Sequence, residues 1–145
     1  MSFLNSFNIS ATGMTAQRLR LDVAAENIAN METTRTEDGT PYRRKLVVLE
    51  ADRESKFSRI FQQASSQADH YGVKATAVID DATELKPVYN PEHPDADENG
   101  YVWMPNVDLV QETTDAMAAT RSYEANITAY NAMKLMAQKA LEIGK

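Results

Sequence analysis

Asp95, Asp97, Asn99 and Gly100 are the residues whose types and spacing come nearest to chemistry, because they match the opening of a calcium loop, D-x-[DN]-x-[DN]-G. The match stops there. A calcium loop closes on a bidentate Glu at its last position, and the residue there is Asn106, preceded by Pro105. Pro91 and Pro94 stand where the incoming helix would lie. An acidic turn, with Asn99-Gly100 leading into a strand, accounts for the same residues without a metal. His70 and His93 are the only histidines, and both fall in loop-like sequence. His93 with Asp95 and Asp97 makes at best a weak, solvated metal set. There is no Gly-rich phosphate loop, nucleophile elbow or HExxH motif, so the sequence predicts neither a catalytic group nor a cofactor.

Composition narrows the classes further. The 145 residues are 43% apolar and 25% charged, a balance that excludes a disordered tail. With no cysteine, a disulfide framework, a zinc ribbon and thiol catalysis are all excluded. The net charge of −6 is concentrated: Asp80, Asp81, Glu84, Glu92, Asp95, Asp97 and Glu98 against Lys86 carry all of it within residues 80–98. No basic stripe supplies the counterion-release term on which nucleic-acid binding depends. The first basic residue is Arg18, so no cleavable secretory signal is expected, and no apolar run is long enough to span a membrane.

The elements that must organise such a chain are its two ends. From Asn106, read as a helix cap, to Gly144, read as its terminator, no Pro or Gly interrupts the sequence. A helix of that length is a rod of roughly 55 to 60 Å. A heptad seam runs through Leu109, Thr113, Ala116, Thr120, Tyr123, Ile127, Tyr130, Lys134, Ala137 and Leu141. A second stripe of mostly small residues follows Ala118, Ser122, Ala125, Ala129, Ala132 and Met136. Apolar or small residues thus fill about five of seven heptad positions, where a helix packed on one side needs about three. Residues 3–31 read as a second helix on the spacing Leu4, Phe7, Ala11, Met14, Arg18, Leu21, Ala25 and Ile28. Gly13 weakens it, and Arg18 and Lys134, the charges in the two seams, are expected to snorkel to water.

The expected fold class is α+β: the two long terminal helices pair as an antiparallel, coiled-coil-like hairpin, with a small, mostly β unit inserted between them. The expected segments are 1–34, 35–105 and 106–145. Within the insert, Tyr42–Glu50, Gly72–Asp80, Lys86–Asn90 and Tyr101–Met104 read as strands, and residues 51–71 as a short helix or loop. The basic run Arg43-Arg44-Lys45 reads as exposed strand charge. Tyr101 and Trp103 alternate with Val102 as the two faces of a strand.

The opening GMTAQRLRLDVAAENIANMETT (13–34), with its NxANxxT element Asn27-Ile28-Ala29-Asn30-Met31-Glu32-Thr33, resembles the amino-terminal signature of the bacterial flagellar rod and hook proteins. The closing RSYEANITAYNAMKLMAQKALEIGK (121–145) is similar to that family's carboxy-terminal helix. TPYRRKLVVLE (40–50) and VYNPEHPDADENGYVWMPNVD (88–108) resemble its proximal-rod branch. Glu26 departs from the family, which more often has a neutral residue there.

The resemblance implies a non-enzymatic structural subunit of the flagellar basal body. It would be exported by the flagellar type III apparatus without signal cleavage and assembled helically in the periplasm with copies of itself and other rod proteins, to transmit torque to the hook. The expected assembly interface is Leu4, Phe7, Ala11, Met14, Leu21, Ala25, Asn27, Ile28 and Asn30 on the first helix. On the second it is Tyr123, Ala125, Asn126, Ile127, Ala129, Tyr130, Ala132 and Met136. The alternative on the residues alone is a cytosolic coiled-coil adaptor or export chaperone, which would use the same heptads to close a dimer.

Overall fold

The computed structural model describes residues 3–52 and 72–143. The helix-or-loop reading of 51–71 lies outside the described residues from 53 onward, as do His70 and Gly144. The order is α1 (Phe3–Ala29), β1 (Lys45–Asp52), β2 (Gly72–Asp80), β3 (Lys86–Tyr89), β4 (Tyr101–Met104) and α2 (Leu109–Ile143). β1 and β2 form one two-stranded sheet and β3 and β4 another, the latter antiparallel in the register Lys86–Met104, Pro87–Trp103, Val88–Val102 and Tyr89–Tyr101. The fold is α+β, with two long terminal helices around a small β region.

Residues divide into two compact units. The first comprises 1–18, 49–76 and 119–145; the second, 19–48 and 77–118. In the first unit the two helices run antiparallel: Phe7 meets Tyr130 edge-on, ring centroids 4.8 Å apart, and Gly13 meets Asn126. The buried side chains at this crossing, Ser10, Ala16 and Ala119, are small, which is what close helix approach requires. Thr12 turns its hydroxyl toward β2, where it accepts the Val73 N–H at 3.2 Å.

The second unit holds a core of its own, with Val23, Ala24, Tyr42, Val102, Pro105 and Val107 buried. α1 ends where the Asn30 N–H reaches the Glu26 carbonyl and the Thr33 N–H the Asn30 carbonyl. The chain then reverses through Thr36–Thr40, where Gly39 takes the left-handed conformation (φ 75°).

Several details correct the sequence reading. The α2 cap is Asp108, not Asn106: Asp108 Oδ1 accepts the N–H groups of Val110 (2.9 Å) and Gln111 (3.3 Å), and these bonds hold its carboxyl below the usual range. Pro105 and Val107 are buried, so the chain stays extended until they are past. Asn106 instead accepts the Arg44 N–H at 2.8 Å and donates to Thr83 Oγ1 at 2.7 Å. β1 begins at Lys45 rather than Tyr42. The basic run is not uniformly exposed either, for Arg44 is buried. Arg18 and Lys134 do reach water.

Candidate assembly site

The NxANxxT element anchors a polar junction within the second unit. Asn27, 1% exposed, makes all four hydrogen bonds an amide side chain can make. Its Oδ1 accepts the Tyr42 hydroxyl (2.9 Å) and the Lys45 N–H (2.8 Å); its Nδ2 donates to the Lys45 carbonyl (3.0 Å) and to Glu112 Oε2 (3.0 Å). One side chain thus ties α1 to the start of β1 and to the first turns of α2. Asn30 and Thr33 shape the exit from α1, with the Thr33 hydroxyl on Asn30 Oδ1 at 3.2 Å and Asn30 Nδ2 on the Glu26 carbonyl at 2.9 Å.

Glu112 uses its other oxygen for Arg44, whose Nε lies 2.5 Å from Oε1. Arg44 also reaches Asp115 at 3.1 Å and Asp81 at 3.6 Å. Burial opposes the guanidinium charge, but the hydrogen bond and attraction of Glu112, with Asp115 and Asp81, outweigh it and raise the Arg44 pKa above its ordinary value. Backbone and hydroxyl hydrogen bonds from Thr83, joined by Arg44, hold the Asp81 carboxyl low. Burial, assisted by the negative charges of Glu26, Asp80 and Glu112, pushes the Tyr42 phenol up to about 12, which keeps its proton on the bond to Asn27. Glu26, the departure from the family pattern, is paired with Lys45 Nζ at 2.5 Å. Arg44, Glu112 and Tyr42 escaped the sequence reading. The available signal was Glu112 standing on one helical line with Ala116 and Ala119, a carboxylate on an otherwise small, apolar face.

The other expected interface residues are placed differently from Asn27. Phe7, Ala11 and Met14 in the first unit, and Leu21, Ile28 and Asn30 in the second, are half-buried, and Ala25 is exposed. Leu4 lies in α1, with its side chain outside the described residues. On α2, Tyr123, Asn126, Ile127 and Tyr130 are half-buried against their own unit, whereas Ala125, Ala129, Ala132 and Met136 face water. Leu135 (61%) is exposed at the edge of this line, and Leu141 (75%) is exposed farther along, on the line of Tyr123, Ile127 and Tyr130. The helix therefore presents two faces, one turned inward and one apolar face left open.

The residues of the calcium-like stretch are spent on the protein. Asp95 accepts the Thr34 hydroxyl at 2.8 Å and stands 3.6 Å from Arg35; Asp97 Oδ1 caps the N–H groups of Asn99 and Tyr101. Gly100 has φ 80°, the turn conformation its place before β4 calls for. Among the described residues no three His, Cys, Asp or Glu side chains are grouped to hold a metal, and no helix is long and apolar enough to cross a membrane.

Comparison with known proteins gives these features a context. Residues 7–35 match the family described as flagella basal body rod protein, and residues 98–143 match the flagellar basal body rod FlgEFG protein C-terminal family. The chain is 47% identical to the flagellar basal-body rod protein FlgC of Bacillus subtilis, with all of both chains aligned. The chain belongs to the FlgC family of flagellar basal-body rod proteins. It is also 44% identical to FlgC of Salmonella typhimurium over the whole of both chains, and 40% identical to FlgC of Borreliella burgdorferi over 99% of this chain and 98% of that one. The two family matches cover the NxANxxT element with most of α1, and β4 with α2. They contain the Asn27–Glu112 bond between them, leaving Tyr42 and Arg44 to the segment in between.

Proposed function

We propose that this protein is a non-enzymatic structural subunit of the flagellar basal-body rod, packed laterally against copies of itself and other rod proteins. The observation that carries the reading is the open face of α2: Met136, 60% exposed, continues the line of the exposed small residues Ala125, Ala129 and Ala132, with Leu135, 61% exposed, at its edge. An apolar helical face of this extent is stabilised only when something covers it, and small residues let a second helix come close.

The proposed assembly is helical and periplasmic, reached by type III export without a cleaved leader. Its work is mechanical: long packed helices, and a junction in which buried polar groups are matched, suit a part that carries torque from the membrane ring to the hook. Within the expected interface, Asn27 acts by holding its own unit together, since its side chain has no bonding capacity left. Contact with neighbours then falls to the exposed α2 residues. In cells, Ala129→Glu places a charge in that contact while leaving a solvated side chain in the free subunit. Loss of swimming with normal chain levels is expected; normal swimming would refute the reading.

A further inference from the structure

The β3–β4 hairpin carries a second surface that the helical faces do not explain. Its register puts Lys86 and Val88 with Val102 and Met104 on one face, and Pro87 and Tyr89 with Tyr101 and Trp103 on the other. The first face is covered at its β4 side: Val102 is 2% exposed and Lys86 Nζ donates to the Val107 carbonyl at 3.0 Å, while Val88 is 46% exposed. The second face is open, with Tyr89 66%, Trp103 46% and Tyr101 42% exposed. Tyr89 and Tyr101 meet edge-on at 5.3 Å, so the ladder is a formed surface rather than a set of separate rings.

Carboxylates stand at both ends of this ladder. Glu84 precedes β3, and Glu92, Asp97 and Glu98 lie in the turn between the strands. Glu84, Glu92 and Glu98 are exposed and make no ion pair among the described residues; Asp97 holds backbone N–H groups and no cation. Lys86, the one base among residues 80–98, is spent on the other face. Aromatic faces together with uncompensated negative charge attract cations, guanidinium most of all, since it stacks on rings and still pairs with carboxylates.

We propose that the Pro87–Tyr89–Tyr101–Trp103 face is a docking site for an arginine-bearing segment of a different protein. A second copy of this chain is a poorer occupant. It would bring a net charge of −6 to an acidic face, and its tight basic run is used internally, Arg43 on the Asp81 and Thr83 carbonyls, Arg44 on Glu112, and Lys45 on Glu26, leaving only the scattered exposed Arg18, Arg35 and Arg121 among its described arginines.

Trp103 is the sole tryptophan, so its emission reports on this face in the intact chain. Titrating the purified protein with a nona-arginine peptide should change that emission saturably. Tyr89→Ser should weaken binding about fivefold, the loss of one exposed cation–π contact. Glu92→Gln with Glu98→Gln should weaken it further and flatten its salt dependence. Circular dichroism confirms that each variant is folded. The proposal is overturned if the peptide leaves Trp103 emission unchanged, if nona-lysine binds as tightly as nona-arginine, if folded variants bind like the parent, or if the emission change tracks self-association in the ultracentrifuge. The readout uses the free chain, so it is independent of assembly into a rod.

Discussion

Gly13 of α1 faces the side chain of Asn126 of α2 so closely that a Cβ at position 13 would lie 3.0 Å from Asn126 Oδ1 and 3.1 Å from Nδ2. The Asn126 amide is not free to give way, because its Nδ2 donates to the Ser122 carbonyl at 2.9 Å. A glycine that weakens helix propensity thus lets the two helices approach closely here.

This contact predicts a sign reversal. On propensity alone Gly13→Ala would stabilise α1 by about 1 kcal/mol. Against Asn126 the gain should vanish or become a loss, and in an Asn126→Ala background it should reappear. Urea unfolding of the four purified chains of this cycle measures it. An equal effect of Gly13→Ala in both backgrounds would show that the contact costs nothing.

The ion pair between Arg44 and Glu112 predicts asymmetric mutational costs. Arg44→Met leaves the buried Glu112 without its cation and should cost about 3–5 kcal/mol, whereas Glu112→Leu leaves Arg44 with Asp115 and Asp81 and should cost less. The double replacement Arg44→Met with Glu112→Leu should recover a large part of the Arg44→Met loss, since both desolvated charges disappear together. Denaturant midpoints of the three variants decide this.

Tyr42 predicts a pH dependence at the alkaline end. Its folded-state pKa of about 12 lies above the ordinary value of 10.0, so the stability it contributes is fully present below pH 10 and is lost as pH rises through 12. Absorbance titration near 295 nm should show a late phenol ionisation, near pH 12. Tyr42→Phe should abolish that late step and leave the Asn27 oxygen short of a donor.

Asn27 itself predicts a loss larger than a surface amide could cause. Asn27→Leu leaves the Tyr42 hydroxyl, the Lys45 backbone groups and one Glu112 oxygen without their partner, at about 1–3 kcal/mol for each group that water cannot reach. A purified Asn27→Leu chain should melt well below the parent. An unchanged melting temperature would mean that the junction has other ways to satisfy those groups.

The long elements were legible because their signals are long. α1, α2, β2 and β4 follow from uninterrupted periodicity or alternation, and the α+β class with them. The facing of the helices was harder to read. The heptad seam passes through Arg18 and Ala25, which are exposed, while the buried positions on α1 include Ser10, Ala16, Val23, Ala24 and Asn27. On α2 they include Glu112 and Ala119 rather than Leu109 or Leu141. Hydrophobicity points to large apolar residues, but the inward line here is small or polar, and much of the large apolar surface is left outside. Arg44 was misread for a related reason: a charge looks solvent-exposed until its partner, 68 positions along the chain, is known.

The central claim is that the open face of α2 is covered in the working assembly, and the absence of any native cysteine makes it directly measurable. A single Ala129→Cys chain can be labelled with a water-soluble maleimide, once as purified subunit and once in intact basal bodies. Fast labelling of the free subunit, with protection of at least tenfold in the basal body that is lost when the rod is dissociated, is the predicted result. Equal labelling in both states, or absence of the chain from the basal body, would contradict the account.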